Sequence, residues 1–306
     1  MRTPRRPRPT GVRAARLAPL ALALLALAAC GGGEAARAAA VSPSPTAVPT
    51  SPTTPAPPPS ATPSSQPAPT LAPNAARPPV VTSGWVGPIY PPRAHGYDIS
   101  YPQCSTVQGP AQAAFSIVGV NDGKAFTTNP CLAAQWRAAR DPRAVYFNSG
   151  YEPDNASQTT AGCRARSQLQ DGSDLRRTAY AIGCSEALYA LAAMRTAGAG
   201  GAVMIWIDVE SSNSWDVANQ DLNRTTLQAE VDELAAFGRL VGLYGTFAEW
   251  RNVVGDWSPA GVVADWVAGQ PADVTCRAPG FSGHPVWLAQ EVAAWPDSGE
   301  DSDWAC

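Results

Sequence analysis

The stretch 204–215, MIWIDVESSNSW, decides how this chain is read. Met204, Ile205, Trp206 and Ile207 form the continuous apolar run of a strand covered on both faces. Asp208 and Glu210 break into its end, with Val209 between them and Asn213 and Trp215 just beyond. Alternate residues of a strand point to the same side, with Cα atoms roughly 6.6 Å apart. Two carboxylates leaving an apolar strand on one side are the mark of a cleft rather than of a solvated loop.

Around this run, strands alternate with helices. GYDIS (96–100), FSIVGVN (115–121), RAVYFNSG (143–150) and LVGLYGT (240–246) read as further strands. Helical spacing covers 131–141 after Asn129-Pro130, 174–197 with Gly183 as an interruption, 223–240 and 246–255. Residues 151–173 read as a long polar loop. Beyond 255 the strands VVADWVAG (262–269), PVWLAQEV (285–292) and SDWAC (302–306) follow one another with almost no helix between. Eight strands in this pattern predict an α/β fold, a single TIM-like barrel of five βα units followed by three strands. Working groups of such barrels sit at the C-terminal ends of the strands. Asp208 and Glu210 stand at one such end, and Asp98 at the end of the first strand would join them.

The barrel is expected over residues 94–306. Residues 1–16 carry six arginines and no acid, and 17–29, LAPLALALLALAA, form an apolar segment too short to span a bilayer. That is the form of an export signal. Its end, Leu27-Ala28-Ala29-Cys30, resembles the lipobox of bacterial lipoproteins, which implies a lipoprotein signal peptide over 1–29 and a lipid on Cys30. Residues 30–93 are an Ala/Pro/Ser/Thr-rich linker, too poor in apolar bulk to offset the entropy of ordering and rich enough in proline to stay extended. The expected location is the outer face of the cell membrane, with the N-terminal lipid as the sole membrane contact.

Charge and cysteine narrow the function. The whole chain has a net charge of −3, but from Arg93 onward there are 14 Lys and Arg against 24 Asp and Glu, a net of −10. Such a domain is a poor partner for nucleic acid or an anionic lipid surface. Beyond Cys30 the cysteines are Cys104, Cys131, Cys163, Cys184, Cys276 and Cys306, an even number suited to three disulfides in an oxidising compartment. Six cysteines allow fifteen pairings. Sequential pairing closes the shortest loops and is the expected one. No cysteine–histidine cluster suggests zinc, so no metal and no cofactor is expected, and the domain is expected to be a monomer.

The ordered motifs resemble those of the family 25 glycoside hydrolases, the N-acetylmuramidases. Gly96-Tyr97-Asp98-Ile99-Ser100 is similar to the family's opening strand, Asp208-Val209-Glu210 to the end of its fourth, Gly242-Leu243-Tyr244 to its fifth, and Trp266-Val267-Ala268 to its sixth. Trp287-Leu288-Ala289-Gln290 is near the seventh, and Asp303 stands for the aspartate of the last. GYDISYPQC and the segment from Asp208 to Trp215 look closest to a secreted, glycoside-hydrolase-like subgroup of high-GC Gram-positive bacteria. The resemblance implies Glu210 as general acid, Asp208 as the group that orients the substrate's own 2-acetamido nucleophile, and Asp98 tuning the pair. It implies cell-wall glycan as the partner, with Asp303, Asn213, Trp215, Tyr244 and Tyr146 as candidate contacts. The chain departs from the family in three places. VYFNSGYEP (145–153) lacks the Tyr-His pair that follows the third strand in many lysozymes, the insertion over 151–184, expected to be stapled by a disulfide, is foreign to the simple lysozymes, and the seventh strand reads AQEV in place of QY. A non-catalytic glycan-binding or envelope-assembly domain on the same barrel is the alternative.

Overall fold

A computed structural model of the chain describes residues 88–291 and 300–306. Eight strands close a barrel in sequence order: β1 (His95–Ile99), β2 (Ser116–Gly119), β3 (Arg143–Asn148), β4 (Met204–Asp208), β5 (Leu240–Gly245), β6 (Val262–Ala268), β7 (Val286–Glu291) and β8 (Asp301–Ala305). Strands β1 to β7 are parallel to their sequence neighbours, whereas β8 runs antiparallel to both β7 and β1. Continuous apolar runs therefore signalled parallel pairing for all but the last strand. SDWAC is too short and too polar to reveal its direction.

Helices α1 (Leu132–Ala138), α3 (Asp174–Thr196), α4 (Gln220–Ala236) and α5 (Phe247–Val254) follow the expected spacing. After β1 the connection begins with a 3-10 turn, Tyr101–Gln103, and no α-helix intervenes before β2. The span 151–173, expected to be loop, contains a 3-10 segment, Pro153–Gln158, and α2 (Ala161–Ser167). Thr160 caps α2 by accepting from the Cys163 amide, and the Cys163–Cys184 disulfide ties it to α3. A cap and a crosslink, not an apolar stripe, hold this helix. A four-residue helix, α6 (Ala272–Thr275), also separates β6 from β7, where none was expected.

Gly183 does not interrupt α3. It is where α3 and α4 touch: a Cβ there would lie 2.1 Å from the Thr226 carbonyl oxygen. The other two disulfides are Cys104–Cys131 and Cys276–Cys306, so the pairing is sequential.

The strands carry two apolar layers. Outward residues such as Val118, Phe147, Ile205, Ile207 and Leu243 pack under the helices. Inward residues, among them Phe115, Ile117, Met204, Trp206, Trp266 and Leu288, fill the barrel. Tyr90 closes the end below Trp206 and accepts a hydrogen bond from its indole N–H at 3.0 Å. Trp206 is thus core, fully buried, and Gly242 beside it makes room: a Cβ there would lie 2.2 Å from the indole. The same inward phase continues upward from Met204 and Trp206 to Asp208, so the strand that fills the barrel also delivers a carboxylate to its mouth.

Candidate active site

The mouth of the barrel holds a pocket of about 350 Å³ whose lining includes Asp98, Asp208, Glu210, Tyr244 and Gln290. Register places it. Asn148, Asp208, Tyr244 and Trp266 pair in turn across β3, β4, β5 and β6, so their inward side chains form one row. Gln290 of β7 pairs with Asp303 of β8, and Asp98 of β1 with Asp301.

Asp208 is buried at the end of β4. Asn148 donates to its Oδ2 at 2.6 Å, and Asn213 donates to its Oδ1 at 3.3 Å and to its carbonyl at 3.1 Å. Burial, and then the Glu210 charge, raise its pKa well above the usual carboxylate range; the Asn213 amide pulls the other way. Glu210 lies just past the strand and is half-buried. Its contact with the Ser212 hydroxyl is long, 3.5 Å, while its backbone carbonyl is fixed by the Trp215 indole N–H at 2.9 Å. Burial raises its pKa first, followed by the charge of Glu249. Asp208 is thus a carboxylate gripped on both oxygens, and Glu210 a loosely held one open to the pocket.

On the far side, Asp98 accepts from Gln290 Nε2 at 2.9 Å, and Gln290 in turn accepts from the Tyr244 hydroxyl at 2.6 Å. Burial, and then Asp301, push Asp98 up to about 7. Asp303 sits beneath it with no exposure, taking the Trp266 indole N–H on Oδ1 at 2.8 Å. Its Oδ2 has no hydrogen-bond partner, and burial, then the charge of Asp98, hold Asp303 well above the carboxylate range.

The structure therefore gathers Asp98, Asp208, Glu210, Tyr146, Tyr244 and Asn213 around one cavity. Asp303 lies outside the lining and acts on it through Asp98 and Trp266. Trp215 is also outside it. It packs against the core, and its indole secures the Glu210 segment, so it is a brace and not an open stacking platform. Sequence reasoning missed Glu249, Asp301, Ser100 and Tyr101. Glu249 was findable, since Thr246 and Glu249 form a T-x-x-E capping box opening α5 just past β5. Asp301 is two residues from Asp303 on the same strand face, which becomes informative only once β8 is known to start at the mouth. Tyr101 sits on the 3-10 turn after β1, half-exposed at the rim. Among the described residues no group of three or more His, Cys, Asp or Glu side chains could hold a metal ion.

Residues 186–266 match the family model described as Lysozyme-like protein 1. Lysozyme-like protein 5 of Caenorhabditis elegans is 27% identical over 155 residues, 50% of this chain and 68% of that one. Among solved structures, a muramidase from Trichobolus zukalii aligns with a TM-score of 0.47 at 16% identity, over 70% of this chain and 93% of that one. A family GH25 lysozyme from Aspergillus fumigatus aligns with a TM-score of 0.41 at 14% identity, over 70% and 93%. The matched segment runs from within α3 to β6 and carries Asp208, Glu210, Tyr244 and Trp266, and over that segment the chain is lysozyme-like.

Proposed function

We propose that the barrel is a glycosidase acting on the glycan of the cell wall, with Glu210 as its general acid. The observation that carries this reading is the contrast between two adjacent acids in one pocket. Asp208 is buried and gripped on both oxygens by two amides, which favour its charged form against the burial that raises its pKa, while Glu210 is loosely held and partly exposed, and burial raises its pKa too. Glycoside hydrolysis needs one transferable proton and one fixed negative group. The Glu210 carboxyl donates its proton to the glycosidic oxygen as the bond from that oxygen to the anomeric carbon breaks. Asp208 accepts the N–H of the substrate's 2-acetamido group and aligns its carbonyl oxygen, which bonds to the anomeric carbon in place of the leaving sugar. Water then attacks that carbon, giving its proton to the Glu210 carboxylate, and the acetamido group is released. The pocket's many acceptors and its aromatic members, Tyr101, Tyr146, Tyr244 and Trp266, suit a sugar's hydroxyls and apolar ring face.

Export and a lipid on Cys30 complete the reading. Their support is the sequence of residues 1–30, which lies outside the described residues. The linker would then act as a spacer between the membrane and the barrel.

The test is reducing-end release from purified peptidoglycan by wild type, Glu210→Gln and Asp208→Asn. Glu210→Gln keeps shape but has no proton to transfer, so turnover should fall roughly 10²–10⁴-fold while glycan binding persists. Asp208→Asn should cost more on substrates bearing a 2-acetamido group than on those without it. Wild-type release no greater than that of Glu210→Gln, with glycan binding retained, would replace the enzyme by a binding module.

A further inference from the structure

Behind the pocket lies a second pair of acids that the proposed chemistry does not use. Glu186 of α3 and Glu230 of α4 are both buried, at 2% and 0% exposure. An acid in a helix is ordinarily solvated, and a lone buried carboxylate is costly. These two meet each other. Neither oxygen of Glu186 has a hydrogen-bond partner, and burial, then the charge of Glu230 beside it, hold its carboxyl well above the usual carboxylate range. Glu230 also takes the Ser149 hydroxyl, at 2.8 Å and 2.9 Å from its two oxygens, and the Gly150 amide faces Glu186.

Ser149 and Gly150 directly follow Asn148, whose amide grips Asp208. The Ser149 N–H donates to the Asp208 carbonyl at 3.1 Å, and the Tyr151 N–H to the Ser214 carbonyl at 2.7 Å, beside Asn213. The acids thus hold from below the segment that holds Asp208 from the side. We propose that Glu230, with Glu186 buried beside it, positions Asp208, through Ser149 and Asn148, for the reaction at the pocket. This rests on the glycosidase reading for the meaning of "position"; the anchoring itself does not.

Other ionisable groups near the pair are accounted for. Glu233, one turn further along α4, is bound to Arg166 of α2. Tyr189 lines the same small hollow as Glu186. Burial, opposed by its contacts with Glu186 and Ser149, pushes Glu230 up to about 8, so the pair gains charge only on the alkaline side of neutrality.

The experiment uses the full chain with Ser149→Ala, Glu230→Ala and Glu230→Gln. It reads amide hydrogen exchange at Ser149 and Tyr151, with Cys306 as a distant reference, and kcat and KM on purified peptidoglycan. Ser149→Ala and Glu230→Ala should each speed exchange at positions 149 and 151 by up to about tenfold, the worth of a hydrogen bond, leaving Cys306 unchanged. They should lower kcat by a similar factor while KM holds. Glu230→Gln still accepts from Ser149, so it should restore both readouts near neutral pH. Unchanged protection in Ser149→Ala, or a Gln variant as damaged as the Ala variant, overturns the proposal. Ser149→Ala removes the link without emptying the helix interface, so a Glu230→Ala that fails to fold leaves the test intact. If wild type has no turnover, the glycosidase reading falls and the exchange data still decide the anchoring.

Discussion

Replacing Gly183 by alanine tests the closest approach in the helical layer. The added Cβ would lie 2.1 Å from the Thr226 carbonyl oxygen, 2.8 Å from its carbon and 3.0 Å from the Thr226 Cα. All three are backbone atoms, so no side-chain rotation relieves the contact. Ordinary contact begins near 3.4 Å, so α3 and α4 must part by about 1.3 Å at the crossing. Overpacking of this kind costs about 1–3 kcal/mol. Alanine in place of glycine inside a helix returns about 1 kcal/mol. The net loss, up to about 2 kcal/mol, lowers Tm by up to roughly 8 °C in a domain of this size. Glu186 lies one turn beyond Gly183 and Glu230 one turn beyond Thr226, so the same parting pulls their carboxyls apart. The assay is thermal unfolding by far-ultraviolet circular dichroism with the disulfides oxidised. A Tm equal to or above wild type would show that the helix gain outweighs the contact, and would refute the claim that this glycine sets the interhelix distance.

Three further outcomes are expected. Opening Cys276–Cys306 with Cys306→Ser releases a loop closed over a separation of 30 residues, and should cost about 3–4 kcal/mol in chemical denaturation; a loss below 1 kcal/mol would mean that β8 holds itself in place. Stability should fall as pH rises. Burial lifts Asp98 and Asp265 to about 7 and Glu230 to about 8 against ordinary carboxylate values near 4, so between those limits the folded chain binds more protons than the unfolded one, and Tm at pH 5 should exceed Tm at pH 8. Cys30→Ser should move the protein out of the membrane fraction with the mass of the lipid lost, and membrane retention at unchanged mass would remove the lipid reading.

The sequence made the rim of the barrel legible where apolar runs end in polar groups. Asp98, Asp208 and Tyr244 each close such a run, and period-two alternation fixes the side to which they point. What stayed hidden depends on partners distant in sequence. The direction of β8 is set by pairing with β1 and β7, and α2 exists because of Thr160 and the Cys163–Cys184 crosslink. Gly183 looked like a break because a glycine within a helical run weakens it; its use is visible only when Thr226 is laid against it. Glu186 and Glu230 look like solvated helix acids in the sequence, and only the packing of α3 on α4 shows that both are cut off from water.

The reversed last strand gives the molecule a polarity. Because β8 runs against its neighbours, it starts at the mouth and ends at the closed end, where the Arg93 N–H bonds to the Ala305 carbonyl and Tyr90 plugs the interior. The polypeptide therefore enters and finishes on one face, and its acids open on the other. Both ends of the described barrel can therefore be held or extended without covering the pocket.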